Sequence, residues 1–234
     1  MNRSPQQVTG GRGPSPSGSA THQVFIVDDH PIVRRGLADL IDDEPDLVVC
    51  GQAADAREAM ERIRANPPDI VVCDLTLEGV HGLELIKRII ALGSDIKVLV
   101  SSMHEESVYA ERVLHAGGLG YVNKQETVEK LIDAIHAVLS GKVFLSDKMQ
   151  ARLLRRSVGS LPPVAGSPVE VLSDRELEVF RLIGEGHTTR QVADRLHVSV
   201  KTIESHRENI KTKLSLTNAA ELTRRAVEFV LQES

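Results

Sequence analysis

The chain has only two cysteines, Cys50 and Cys73, among its 234 residues, and both fall in apolar, strand-like segments. That excludes a disulfide scaffold as the source of stability and favours structural, reduced thiols in a reducing cytoplasm. No apolar run approaches the ~20 residues of a membrane span, so no membrane association is expected. The first 22 residues, MNRSPQQVTGGRGPSPSGSATH, lack the apolar segment of a signal peptide, and their Gly, Pro and Ser content predicts a disordered tail. What is present is a globular composition, 26% charged and 41% hydrophobic. The length is sufficient for two domains, each with its own core.

Short β-branched runs at 23–27, 47–53, 69–73, 97–101 and 120–123 alternate with stretches of helical period near 31–42, 55–65, 81–91, 106–116 and 127–140. Five such β/α repeats predict a doubly wound, five-stranded parallel sheet. A basic helical stretch, DKMQARLLRRS at 147–157, leads into VGSLPPVAGSPVE at 158–170, whose Pro, Gly and Ser content sustains neither period. From Val171 onward strand signals cease and four helical segments follow. The expected organisation is a tail at 1–22, an α/β domain at 23–146, a linker at 147–170 and a small all-α domain at 171–234.

Sites in an open parallel sheet form beyond the carboxyl ends of its strands. The first strand ends in Asp28 and Asp29, the third in Asp74, the fourth in Ser102, and Lys124 follows the fifth. Three carboxylates brought together repel one another unless a hard divalent cation sits among them, and few oxygen ligands with space left for phosphate oxygens and water suit Mg²⁺. With Lys124 to balance a phosphoryl group, the set supplies what phosphoryl transfer asks of a protein: a placed nucleophile, Asp74, and neutralised equatorial oxygens.

At these residues the sequence resembles the receiver domain of two-component response regulators, in the pieces VFIVDDHPIVRRGL, VVCDLTLEGVHGLELI, KVLVSSMHEE and GLGYVNK. The resemblance implies a flavodoxin-like fold with Asp28 and Asp29 as acidic residues of the Mg²⁺ site and the backbone carbonyl of Thr76 as a further ligand. It implies Asp74 as acceptor of phosphate from a sensor histidine kinase, Ser102 as the switch hydroxyl, Lys124 as the phosphate-contacting lysine and Tyr121 as the aromatic that rotates with the hydroxyl. Two positions depart from the family pattern: Glu78 stands where proline usually follows the acceptor by four residues, and Gln125 follows the lysine. Glu78 keeps open an alternative in which the receiver works without phosphate, as a dimerisation or ligand-sensing module. Haloacid-dehalogenase-type phosphatases use a similar residue set, but they need a second aspartate two residues after the nucleophile as acid and base. Here that position is Thr76, so no enzymatic turnover is expected. His104 and Thr76 flank the expected path of hydrolytic water.

In the C-terminal segment Ser173 precedes DRELEVFRLI as an N-cap, Gly184 and Gly186 are expected to stop that helix, Thr188 and Thr189 begin TRQVADRLH, and Ser199 caps VKTIESHRENIKTKL. A short helix, a tight turn and a longer helix make a helix-turn-helix. On the longer helix Ile203, His206, Ile210 and Leu214 share the face that must pack inward, His206 as a hydrogen-bonded structural residue, leaving Lys201, Glu204, Ser205, Glu208, Lys211 and Thr212 outward. The segment resembles the LuxR-type helix-turn-helix of the NarL/FixJ class. That implies Glu204, Ser205 and Glu208 at base edges of promoter DNA, with Lys201, Thr202, Arg207, Lys211 and Lys213 on phosphates. Residues 171–234 hold 10 basic and 10 acidic residues. A neutral domain needs locally placed cations and pairing of two copies to hold DNA, because phosphate neutralisation dominates non-specific affinity. The last helical segment, NAAELTRRAVEFVL, is amphipathic, and its apolar face serves either such pairing or the domain's own core. The expected protein is a phosphorylation-gated transcription regulator, a homodimer when active, with RNA polymerase a further possible partner. In its resting state the receiver is expected to cover the DNA-reading helices.

Overall fold

The computed structural model describes residues 21–77, 82–93, 95–158 and 168–233. Most of the N-terminal tail, Glu78 and the Pro/Gly-rich middle of the linker lie outside the described residues.

Elements alternate along the first half of the chain: β1 (His22–Val27), α1 (Pro31–Asp42), β2 (Leu47–Ala53), α2 (Ala56–Ala65), β3 (Ile70–Cys73), α3 (Gly82–Ile90), β4 (Lys97–Ser102), α4 (Glu106–His115), β5 (Gly120–Asn123) and α5 (Val128–Leu139). The strands form one parallel sheet in the order β2-β1-β3-β4-β5. The period-2 alternation of each strand divides the core. Val24, Ile26, Ile70, Val72 and Leu99 face α1 and α5, through residues such as Ile41 and Ile135. Phe25, Val27, Val71, Val98 and Val100 face α2, α3 and α4. Apolar contacts on both faces explain why the strands read as unbroken β-branched runs, each buried side chain contributing roughly 1.5–3 kcal/mol. The order reverses between β1 and β3, which places Asp28, Asp29 and Asp74 beside one another at the switch point.

The second half is helical: α6 (Asp147–Val158), a 3-10 turn (Pro168–Val171), α7 (Asp174–Gly184), α8 (Thr189–Arg195), α9 (Val200–Lys213) and α10 (Ala219–Glu233). Ser173 with Glu176, and Thr188 with Gln191, form reciprocal capping boxes, while Ser199 accepts from the Thr202 amide at 3.1 Å. Leu177, Phe180 and Ile183 of α7 pack with Ile203 and Ile210 of α9 and Leu222, Ala226 and Phe229 of α10. α7 ends at Gly184, as its two glycines had suggested, and a Cβ there would lie 2.2 Å from the Ala226 carbonyl oxygen, so Gly184 is also small because α10 passes against it. The turn itself comes at Gly186, whose φ is +89°.

The α/β unit and the helical unit share one apolar cluster, with Leu75 and Leu77 near Leu182 and Leu196, and are also joined by a seam of ion pairs. Arg112 of α4 donates to Asp174 Oδ1 at 2.9 Å and to the carbonyls of Leu172 and Val169 at 2.8 and 3.2 Å. Lys87 of α3 reaches the other oxygen of Asp174 at 2.8 Å. Burial pushes the Asp174 carboxyl up, but the hydrogen bonds from Lys87 and Arg112 outweigh it and hold its pKa below the ordinary value. From α6, Arg152 and Arg156 both pair with Glu170, and Arg156 also pairs with Glu111 of α4. The expected covering of the DNA-reading helices is met only in part among the described residues: the α/β unit meets the 3-10 turn, α7 and the end of α8 at Arg195, while Lys201, Thr202, Glu204, Ser205 and Glu208 of α9 are exposed. Geometry explains this: the seam grips the start of α7, and α9 presents its polar face away from its own core.

Candidate functional site

Each strand-end residue is positioned by the ladder that precedes it. The Asp74 amide donates to the Val27 carbonyl at 2.9 Å, which sets Asp74 beside Asp28, and the Lys124 amide donates to the Ser102 carbonyl at 2.9 Å. Gly82 opens α3 against the loop that follows β3: its amide donates to the Leu75 carbonyl at 2.8 Å, and a Cβ there would lie 2.4 Å from the Asp74 carbonyl oxygen. A glycine at the start of α3 is thus a condition for the position of Asp74.

The structure brings Asp28, Asp29, Asp74, Ser102 and Lys124 together. The Lys124 ammonium lies 2.6 Å from Asp28 Oδ2 and 2.7 Å from Asp74 Oδ2, and both carboxylates are almost fully buried. Burial works against the charge of Lys124, but the carboxylates of Asp74 and Asp28 outweigh it and raise its pKa. One cation between two buried anions leaves the cluster net negative. Asp74 Oδ1 and Ser102 Oγ are buried with no hydrogen-bond partner among the described residues. Such atoms are costly unless something completes them.

His30 was not singled out from the sequence, although it directly follows the two aspartates. Its Nδ1 lies 2.6 Å from Asp29 Oδ1, and ligand atoms of Asp28, Asp29, His30 and Asp74 all fall within 4.8 Å of one another. This acidic cluster, one of whose members, Asp74, keeps a buried carboxylate oxygen without a partner among the described residues, fits a hard divalent cation.

Tyr121 is buried, and its hydroxyl donates to the His104 carbonyl at 2.8 Å, so the ring already points inward. Thr76 Oγ1 lies 2.8 Å from His104 Nε2, and the His104 ring stacks on Tyr109 at 5.0 Å. Burial first, then the positive charge of Arg181, lowers the His104 pKa to about 4, so the ring is neutral at pH 7. Burial also raises the thiol pKa of Cys50 and Cys73, both free.

The residues of α9 expected to face DNA carry more internal pairing than their sequence suggested. Lys211 pairs with Glu208 at 2.9 Å, and Lys213 reaches the buried Glu176 of the α7 cap at 2.6 Å. Lys213 therefore ties α9 to α7. Ser205 Oγ donates back to the Lys201 carbonyl at 3.1 Å, and Thr202 Oγ1 shares a hydrogen bond with Ser199. Arg207 is partly exposed. His206 Nδ1 is buried without the expected hydrogen bond among the described residues, and burial holds its pKa below the usual value.

The family model of the response regulator receiver domain matches residues 24–136, and that of the luxR family of bacterial regulatory proteins matches residues 170–226. The chain is 34% identical over 215 residues to the oxygen regulatory protein NreC of Staphylococcus carnosus, covering 90% of this chain and 97% of that one. It is 33% identical over 205 residues to the response regulator GacA of Pseudomonas aeruginosa, covering 88% and 95%. Among solved structures, RcsB from Salmonella enterica serovar Typhimurium, bound to promoter P1flhDC in the presence of phosphomimetic BeF3-, superposes with a TM-score of 0.66 at 26% identity, covering 88% and 98%. Two matched families, in the order in which the fold places their elements, settle the class: this chain belongs to the response regulators that join a receiver domain to a LuxR-type DNA-binding domain.

Proposed function

We propose that Asp74 accepts a phosphoryl group from the phosphohistidine of a sensor kinase, and that the charge gained there raises the affinity of the helical domain for promoter DNA. The observation that carries this reading is the Lys124 ammonium shared between Asp28 Oδ2 and Asp74 Oδ2, which leaves Asp74 Oδ1 buried and unpaired. In the transfer, Asp74 Oδ1 forms the new P–O bond while the P–N bond to the kinase imidazole breaks, and the departing imidazole takes its proton from water. Lys124 turns from the carboxylates to the phosphoryl oxygens, and Ser102 Oγ gains an acceptor it lacks here. Asp28, Asp29, Asp74 and the Thr76 carbonyl would hold Mg²⁺, which when bound offsets the charge on the phosphoryl oxygens. Thr76 and His104, hydrogen-bonded to each other beside the acceptor, would tune the lifetime of the phosphorylated form.

On DNA, Glu204, Ser205 and Glu208 would read base edges, with Lys201, Thr202, Arg207 and Lys211 on phosphates; Lys213 acts mainly on the fold. Because the α9 face is exposed while the two units are in contact, phosphorylation need not uncover it. The reading we favour is that phosphate alters the receiver surface that pairs two chains, giving the neutral DNA-binding domain a second set of contacts. The partners are thus a kinase, double-stranded promoter DNA and a second copy, with RNA polymerase reached at the promoter, all in the cytoplasm. The phosphate step is tested by labelling with a small phosphodonor and Mg²⁺ and mapping the modified residue by mass spectrometry. Modification of Asp74, absent in Asp74→Asn, is the expected result; no labelling of the intact chain would favour the phosphate-independent alternative.

A further inference from the structure

α7 brings a cation from the DNA-binding domain to the loop that follows the acceptor aspartate. Leu75, Thr76 and Leu77 form one wall of a cleft of about 20 Å³, and α7 and α8 form the other, through Glu178, Arg181 and Arg195 among others. A space of that size holds about one water, so a charge beside it is poorly screened. The Arg181 side chain is 12% exposed, and its Nη1 donates to Glu185 Oε1 at 2.6 Å. Its Nε is buried with no hydrogen-bond partner among the described residues. Across the cleft stands Thr76, whose hydroxyl is hydrogen-bonded to the His104 ring at 2.8 Å. A guanidinium with an unmet donor therefore stands against a loop residue only two positions from Asp74.

We propose that Arg181 is a positioning residue of the phosphorylation site, supplied by the DNA-binding domain, which favours the negative charge that Asp74 gains. The inference rests on the reading of Asp74 as the acceptor. In the unmodified chain Glu185 partly neutralises Arg181. A phosphoryl group on the other side of the cleft competes with Glu185 for the same guanidinium, whose planar set of donors suits phosphate oxygens. The coupling is reciprocal: α7 in place favours the charge, and the charge favours α7 in place. Contact between the two units is thus tuned at the acceptor loop itself, separately from the seam at Arg112 and Asp174.

The test is calorimetric titration of the full chain with beryllofluoride, an inorganic phosphoryl mimic, in the presence of Mg²⁺. Arg181→Ala should weaken binding about fivefold, the low end of site-to-site coupling, and Arg181→Lys, which keeps the charge, should restore most of it. Glu185→Ala frees the guanidinium and should tighten binding about twofold, as befits loss of one partly exposed ion pair; a damaged fold cannot produce that sign. Equal affinity in Arg181→Ala and the unaltered chain, an equally large loss in Arg181→Lys, or no tightening in Glu185→Ala would overturn the proposal. Failure of the unaltered chain to bind would instead overturn the reading of Asp74, and the role of Arg181 with it.

Discussion

At the scale of single residues, Lys124 holds the cluster together in the absence of a divalent cation. Removing it leaves Asp28 and Asp74 as nearly fully buried carboxylates without their cation. Lys124→Ala should therefore lower stability by about 3 kcal/mol in thermal or denaturant unfolding, and by less with excess Mg²⁺. His104 supplies a pH signature of its own. Its folded pKa, about 4, lies below the ordinary histidine value, so the unfolded chain binds the proton more readily. Stability is intact above about pH 6.5 and falls as pH drops toward 4, by on the order of 3 kcal/mol, and His104→Gln should remove most of that slope in unfolding measured across the range. The three aspartates and Lys124 were legible in the sequence because each ends or directly follows an apolar run, where the switch-point rule puts ligands. His30 carried the same local signal but reads as the start of a helix before Pro31. Arg181 carried none, because nothing in a single sequence tells which helix of one domain meets which loop of the other.

At the scale of elements, the strands and helices were legible because both periods are strong: buried strands read as β-branched runs, and caps such as Ser173 and Thr188 mark helix starts. Gly184 answers two demands at once, since close helix packing and helix termination select the same residue, and only the second was legible. On α9, the outward face was legible from Ile203 and Ile210, but the pairing of Lys213 with Glu176 was not, because it depends on how α9 crosses α7. The two kinds of DNA contact should separate in mobility shifts across operator variants. Glu204→Ala or Ser205→Ala should reduce sequence preference, each lost base contact being worth about 1–3 kcal/mol, whereas Lys211→Ala should weaken binding to all sequences alike and flatten the salt dependence.

At the scale of the whole molecule, the contact between the two units joins buried leucines such as Leu77 and Leu182 to the ion pairs of Arg112 and Lys87, and leaves the outward face of α9 exposed. Arg112 binds the Asp174 side chain at the start of α7 and three carbonyls just before it, so Arg112→Ala should loosen the units, seen as a larger radius of gyration in small-angle scattering. Because α9 is exposed before any such change, that loosening should alter DNA affinity of the unphosphorylated chain less than about twofold, a range within the effect of one weak surface pair. A large rise would mean that contact between the units had been hiding the DNA-binding face. The exposed face and the neutral charge of the domain are what favour the proposed control step, pairing of two chains. The most direct test is a mobility-shift titration on a promoter fragment, with the unaltered and Asp74→Asn chains, each with and without a small phosphodonor and Mg²⁺. The account predicts tighter, cooperative binding by the phosphorylated chain alone, with Asp74→Asn unresponsive to the donor; equal stimulation of both chains, or of neither, would contradict it.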